Sequence, residues 1–263
     1  MHPFNYHAPS SLKDAQSAKG GDVKYLAGGQ SLLATMKLRL ASPSDLVSLA
    51  GIADLRGIRA DAAMLTIGAM ATHAEVAASA EVAAKIPALA ALAGGIGDRQ
   101  VRNRGTMGGS LANNDPAADY PAAVLGLGAT VITSKRKIVA DEYFTGLYET
   151  VLEPREIITA VSFPVPKKAA YEKFKNPASR FALVGVFVAQ TASGPRVAVT
   201  GAGGAGVFRV AEMEAALAKR WSPESVRSLA VDTSDLNGDI HASAEYRAHL
   251  VAVLAARAVA AAG

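Results

Sequence analysis

The segment Asp98–Asp119 reads DRQVRNRGTMGGSLANNDPAAD and is the most informative stretch of this 263-residue chain. It is polar, rich in Gly, Asn and Asp, and follows neither the helical nor the strand period, although apolar segments flank it on both sides. The sequence therefore predicts a long loop here. A loop of this length inside a compact domain is uncommon unless it has a function.

Two diglycine segments predict phosphate binding. Gly108-Gly109 lies inside the polar segment between two hydroxyl residues, and Gly28-Gly29 follows a predicted strand over Val23–Ala27. Adjacent glycines let successive backbone N–H groups turn inward as an anion nest, and a following helix adds positive charge from its N-terminus. Each segment alone is equally consistent with a tight turn. Together they favour the two phosphates of a dinucleotide.

Polar side chains follow the second diglycine. Asn113, Asn114, Asp115 and Asp119 suit the hydroxyl groups of a ribose or ribityl chain, because carboxylates near a phosphate site need hydroxyl partners. Helix capping is the alternative role, and residue type favours it for Asp119. Three nearby cations could face the cofactor, a partner subunit or solvent, and these are Arg99, Arg102 and Arg104.

Composition narrows the class of protein. The chain has no cysteine, so it supplies neither a thiolate nucleophile nor the ligands of an ordinary iron–sulfur cluster. Any such centre must lie on another chain. A net charge of +4 with 6% aromatic residues gives no focused basic surface, so nucleic acid is not an expected partner. No metal-ligand spacing, transmembrane segment or secretory signal is visible, and a cytoplasmic location is expected.

Helix and strand signals surround these loops. Thr72–Glu75 has capping-box spacing and predicts a helix through Val82, and Pro87 opens another that ends at Gly94-Gly95. Prolines 164 and 166 mark the expected domain boundary. Beyond it, an antiparallel sheet covered by helices is predicted, with strands at 171–175, 181–190 and 196–200 and helices at 210–219, 222–230 and 243–262.

A third glycine-rich segment is excluded as a nucleotide site. Gly201–Gly206 matches G-x-G-x-x-G after a predicted strand. Only 57 residues follow Gly206, and they contain neither a second parallel strand nor an acidic residue at the expected spacing. The sequence therefore predicts a glycine-rich strand end.

Five segments together resemble a known family. They are AGGQSLLATMKLRL (27–40), TIGA (66–69), IGDRQVRNRGTMGGSLANNDPAADYPA (96–122), LEPREIITAVSFP (152–164) and YEKFKNPASRFALV (171–184). They are similar to the FAD-binding medium subunits of the molybdenum hydroxylases, which include carbon monoxide dehydrogenase medium chains and the flavin domain of xanthine dehydrogenase. The resemblance runs over nearly the whole chain.

This resemblance implies an α+β fold in two domains. Residues 1–166 would form the two-part FAD-binding fold of the vanillyl-alcohol-oxidase or p-cresol methylhydroxylase type, with subdomains at about 1–56 and 57–166. Residues 167–263 would form a small C-terminal α+β domain with an antiparallel sheet and helices.

The resemblance also implies the site residues, with none of them catalytic and none binding a metal. The pyrophosphate loops would be Tyr25, Leu26, Ala27, Gly28, Gly29, Gln30, Ser31 and Leu32, and Gly105, Thr106, Gly108, Gly109 and Ser110. The flavin or adenine would contact Ile96, Ala112, Asn113, Asp115, Asp119 and Ile158. Lys175 would approach the isoalloxazine edge, where a cation would favour reduced, anionic flavin.

The implied function is electron transfer through non-covalent FAD to an external acceptor. A large subunit with the molybdenum cofactor would oxidise the substrate, and a small subunit would carry the iron–sulfur clusters, in a dimer of heterotrimers. Two alternatives stay open, namely a self-sufficient flavin-dependent oxidoreductase of the same fold and a flavin-less assembly subunit. The sequence names neither the substrate nor the electron acceptor.

Overall fold

The computed structural model describes residues 1–263, which form a mixed structure of strands and helices. The strands are β1 (Asn5–His7), β2 (Val23–Leu26), β3 (Asp45–Ser48), β4 (Ile58–Ala60), β5 (Met64–Gly68), β6 (Thr130–Thr133), β7 (Lys137–Val139), β8 (Phe144–Gly146), β9 (Glu149–Thr150), β10 (Ile158–Pro164), β11 (Lys168–Lys175), β12 (Ala182–Thr191), β13 (Gly194–Thr200) and β14 (Phe208–Arg209).

The helices are mostly short. They are α1 (Leu12–Ser17), α2 (Leu32–Lys37), α3 (His73–Ala78), α4 (Ala80–Lys85), α5 (Pro87–Gly94), α6 (Arg99–Arg102), α7 (Met107–Asn113), α8 (Tyr120–Leu127), α9 (Ala140–Tyr143), α10 (Ala211–Lys219), α11 (Glu224–Arg227) and α12 (Ala244–Ala262), with a 3₁₀ turn at Ala53–Leu55. None of them is long and apolar enough to cross a membrane.

The N-terminal part contains a three-stranded parallel sheet in the order β1-β3-β2. Its central strand β3 is buried along its whole length, as expected for a parallel sheet covered on both faces. The carboxyl end of β2 leads directly into Gly28-Gly29. The first diglycine therefore lies at the edge of a sheet where ligands commonly bind.

The middle part is built on a five-stranded antiparallel sheet in the order β4-β5-β10-β6-β7. Helix α8 is buried along its whole length because it packs between strand β10 of this sheet and strands β12 and β13 of the C-terminal sheet. A helix apolar on all sides belongs in such a sandwiched position.

The C-terminal part is a four-stranded antiparallel sheet in the order β11-β12-β13-β14. One face, with Phe187 and Ala198, joins the core that contains α8. The other face, with Val186 and Val199, packs under α10 and α12. The antiparallel order also agrees with excluding Gly201–Gly206 as a dinucleotide fingerprint. The division of the chain at residue 166 stays a prediction.

Three local predictions were wrong. The segment Asp98–Asp119 is not one loop, because it contains α6 and α7, each capped by a hydroxyl or carboxylate at its start. The helix predicted from Thr72 does begin with a capping box, but it breaks at Ser79, whose side chain caps α4. The helix predicted over residues 222–230 is reduced to α11. Helices of four to seven residues are too short for periodicity to reveal.

Candidate functional site: a cavity between two glycine loops

A cavity of about 530 Å³ lies where the two predicted glycine loops meet. This volume falls within the range of about 300 to 1,000 Å³ that is typical of cofactor sites. All predicted site residues line it except Leu26 and Lys175. Residues that sequence reasoning missed also line it, and they include His73, Glu156, Ser179, Arg180 and Phe181.

The first loop presents a row of free backbone donors. The six successive amides from Ala27 to Leu32 donate no hydrogen bond within the chain. Gly29 has φ of +77°, a left-handed conformation that suits glycine. Because these residues line the cavity, their N–H groups form a nest of the kind that binds phosphate.

The second loop differs, and its interpretation as a second open nest was wrong. The amides of Met107 and Gly108 donate to the carbonyls of Ala71 and Ala69, and the Gly109 amide donates to Thr106 Oγ1. These donors are already used because the diglycine forms the first turn of α7. The glycines here permit close packing instead, since a Cβ on Gly108 would lie 2.6 Å from Ala69 Cβ. Whether Gly105–Ser110 contact a ligand stays a prediction.

The two loops touch through their backbones. A Cβ on Gly28 would lie 2.0 Å from the Arg104 carbonyl oxygen and 2.9 Å from Gly105 Cα. Close by, Arg102 Nη1 donates to the carbonyls of Ile96 and Gly97 at 2.9 and 3.0 Å. Arg102 therefore supports the cavity wall, while Arg104 and the nearby Arg99 are exposed.

Asp119 does not cap α8, contrary to the role favoured by its residue type. Its Oδ1 accepts a hydrogen bond from Tyr171 Oη at 2.6 Å and lies 2.8 Å from Lys173 Nζ. Burial raises the pKa of the Asp119 carboxyl, and the Lys173 charge opposes that rise. Lys173 is therefore the cation that pairs with this lining carboxylate.

Lys175, assigned by resemblance to the flavin edge, is exposed and does not line the cavity. The pairing of β11 with β12 shifts register between Phe174 and Lys175. The residue left without a partner is Leu183 on β12, and Lys175 is the last residue of β11, where the strand is exposed.

Asn114 has a structural role. It adopts φ of +42° at the end of α7, and its Nδ2 donates to the Gly146 and Glu149 carbonyls at 2.9 and 2.8 Å. It therefore holds the β8–β9 hairpin, while its neighbours Asn113 and Asp115 line the cavity.

His73 is a buried member of the cavity wall that no sequence signal identified as a site residue. Only 5% of its surface is exposed, its Nδ1 has no hydrogen-bond partner, and its ring lies 5.2 Å from the Tyr120 ring in an edge-to-face arrangement. Burial, together with the nearby Arg102 charge, lowers the pKa of His73 to about 4. The imidazole is therefore neutral near pH 7.

We expect His73 to reduce stability at acidic pH. Because its folded pKa of about 4 lies below the ordinary 6.5, the unfolded chain takes up the proton first as pH falls. The contribution of neutral His73 to the free energy of unfolding is thus fully present above pH 6.5 and is lost as the pH falls toward 4. The free energy of unfolding should fall by roughly 2 kcal/mol between about pH 7 and about pH 5. Urea denaturation at both pH values should show a smaller decline for His73→Phe. An equal decline in the two proteins would contradict this assignment.

The residues present fit a flavin dinucleotide. Free amides suit a pyrophosphate, Asn113 and Asp115 suit hydroxyl groups, and apolar side chains such as Ile96 and Ile158 suit flat rings. No cluster of three His, Cys, Asp or Glu side chains could hold a metal ion. The fold and the site together define a nucleotide-cofactor protein.

Comparison with known proteins identifies the family. Residues 2–166 match the FAD binding domain in molybdopterin dehydrogenase. The chain belongs to this family of FAD-binding medium subunits, and it is an oxidoreductase subunit whose cofactor is FAD.

Relatives of known function cover almost the whole chain. The carbon monoxide dehydrogenase medium chain of Hydrogenophaga pseudoflava is 34% identical, over 97% of this chain and 96% of that protein. The nicotine 6-hydroxylase medium subunit of Paenarthrobacter nicotinovorans is 36% identical, over 99% and 97%. The chain is thus similar to medium subunits of enzymes that act on different substrates.

Solved structures confirm the predicted fold class. A structure of carbon monoxide dehydrogenase from Hydrogenophaga pseudoflava aligns with a TM-score of 0.87 at 34% identity, over 100% of this chain and 98% of that one. A structure of quinoline 2-oxidoreductase from Pseudomonas putida 86 aligns with a TM-score of 0.90 at 30% identity, over 99% and 97%.

Proposed function

We propose that this chain carries electrons through FAD, from iron–sulfur clusters on a partner subunit to an external acceptor. The observation that supports this most strongly is the row of free amides from Ala27 to Leu32 beside the cavity. When bound, FAD would supply the redox chemistry. The chain's own residues would bind it, orient it and keep solvent away from it.

Different residues that line the cavity would contact different parts of FAD. The Ala27–Leu32 amides would bind the pyrophosphate, and the Gly105–Ser110 turn would pack against that loop and fix its position. Ile96 and Ile158 would contact the ring systems, and Asp119 would accept a hydrogen bond from the cofactor.

Partner subunits would supply the other redox centres. A small subunit would carry the iron–sulfur clusters, for which this chain has no cysteine ligands, and a large subunit would carry the molybdenum cofactor. The similarity to proteins named as medium chains supports this division. We propose a dimer of such heterotrimers. A cytoplasmic location stays a prediction from the sequence.

The two alternatives are less well supported. A self-sufficient oxidoreductase needs a general base facing the cavity, but each carboxylate that lines it already has a partner. Asp119 is paired with Lys173, Glu156 is paired with Arg136, and Asp115 accepts a hydrogen bond from the Ala117 amide. The lining imidazole, His73, is buried. A flavin-less assembly subunit would have no use for free amides lining a cavity.

We expect the purified chain to release its flavin on acid precipitation. It has no cysteine for a thioether, and the only histidine of the cavity, His73, is packed against Gly105, where a Cβ would lie 2.4 Å from Nε2. All yellow colour should pass into the supernatant as FAD, measured by absorption and chromatography, with about one FAD per chain. FMN in the supernatant, or colour left in the pellet, would contradict the proposal.

A further inference from the structure

Lys173 is the buried cation of the cavity region. Its side chain is only 4% exposed, and lysine is almost never buried unless it is paired. Its Nζ lies 2.8 Å from Asp119 Oδ1 and donates to the Gly95 and Arg180 carbonyls at 3.1 Å each. An ammonium has three donors, so the chain itself uses all of them. No donor of Lys173 is left for a ligand.

The three acceptors belong to three separate segments of the cavity wall. Gly95 directly precedes the lining residue Ile96, and Arg180 lies in the segment that follows β11 and lines the cavity itself. Asp119, also a lining residue, lies at the start of α8. Lys173 therefore joins segments that are far apart along the chain.

The same contacts fix the orientation of the Asp119 carboxylate. Tyr171 and Lys173 both approach Oδ1, while Oδ2 makes no hydrogen bond within the chain. Because Asp119 lines the cavity, Oδ2 is the oxygen that remains free to accept a hydrogen bond from a ligand.

We propose that Lys173 is a positioning residue of the flavin site, which ties three cavity walls together and holds Asp119 with Oδ2 available to the cofactor. This inference rests on the proposed FAD function. It differs from the role implied for Lys175, because Lys173 acts through Asp119 and the two carbonyls and not by contact with the flavin.

Lys167 is a matched control, since it has the same side chain, directly precedes the same strand, is exposed and does not line the cavity. The flavin-free full-length chain is titrated with FAD, and binding is followed by quenching of flavin fluorescence. Lys173→Met should weaken binding by about tenfold, because a buried charge that loses its partner disturbs its site strongly. Lys167→Met should stay within about twofold of the wild type.

Measuring FAD affinity as a function of pH distinguishes a positioning role of Lys173 from a general loss of folding in the variant. The ionisable groups near Asp119 are Lys173, Tyr171 and Lys175 on β11 and Tyr120 on α8. Without the Lys173 charge, burial keeps Asp119 protonated to a higher pH, so Oδ2 becomes a poorer acceptor. The affinity of Lys173→Met for FAD should therefore rise at least about fivefold from about pH 6 to about pH 8, whereas that of the wild type should change less.

A double variant keeps the test decisive if Lys173→Met fails to fold. Lys173→Met with Asp119→Asn removes both charges, so it should fold with a thermal midpoint near that of the wild type. It should bind FAD weakly at both pH values, without the pH dependence of the single variant. Wild-type affinity in the folded single or double variant would overturn the inference, and so would an equal loss in Lys167→Met. Failure of the wild-type chain to bind FAD would instead overturn the proposed function.

Discussion

Gly28→Ala should severely weaken FAD binding by an otherwise folded chain. The new Cβ would lie 2.0 Å from the Arg104 carbonyl oxygen, and backbone atoms on both sides leave no flexible side chain to yield. The two glycine loops would have to separate, which would displace the free amides of the Ala27–Leu32 row. We expect this overpacking to cost about 2 kcal/mol or more of FAD binding free energy, or roughly thirtyfold in affinity.

The measurement is the ratio of FAD to protein after purification. Gly21→Ala is the control, because it lies in the same N-terminal part and its Cβ would meet no atom closer than Ser44 Oγ at 3.8 Å. The control should keep the wild-type ratio, and circular dichroism should show that both variants fold. A full complement of FAD in Gly28→Ala would mean that the loops do not hold the cofactor as described.

We expect that substrates do not reduce the FAD bound to the isolated chain. FAD on the isolated chain should stay oxidised when aldehydes, purines, N-heterocycles or carbon monoxide are added without oxygen. Each carboxylate that lines the cavity is already held by a partner within the chain, and the chain has no cysteine to ligate iron–sulfur clusters. Dithionite should bleach the same sample, which shows that the flavin itself is competent. Substrate bleaching of the isolated chain would favour a self-sufficient oxidoreductase.

The first glycine loop was predictable because its signal is local. A strand, two glycines and a polar helix start occur within the ten residues from Val23 to Leu32, and the structure brings them to the cavity in that order. The capping box at Thr72 and the helix from Pro87 to Gly94 are local in the same sense, and both are present.

The sequence predictions were wrong where a polar group binds a partner that is distant in the sequence. Residue type favours a helix cap at Asp119, but its carboxylate contacts Tyr171 and Lys173, which lie more than fifty residues away in the sequence. The diglycine predicts a free donor at Gly108, but this amide donates to the carbonyl of Ala69, which no pattern around residue 108 reveals.

Lys173 shows a further limit of sequence reasoning. Its acceptors are the Asp119 carboxylate and the Gly95 and Arg180 carbonyls, so no pattern around residue 173 reveals that it is buried. The approach of Lys175 to the isoalloxazine edge stays a prediction. His73 carried no signal either, since burial of a lone histidine depends on the packing of Tyr120 and Gly105 around it.

We propose that this chain carries electrons from partner subunits through FAD, and anaerobic reduction of the assembled complex is the decisive experiment. The complex with its molybdenum and iron–sulfur subunits is mixed with its substrate, and flavin absorption is followed before and after an acceptor is added. We predict that the flavin bleaches within turnover time, that the acceptor restores the colour, and that acceptor reduction disappears when FAD is stripped while the iron–sulfur centres are still reduced. Acceptor reduction at an unchanged rate in the flavin-free complex would contradict the account.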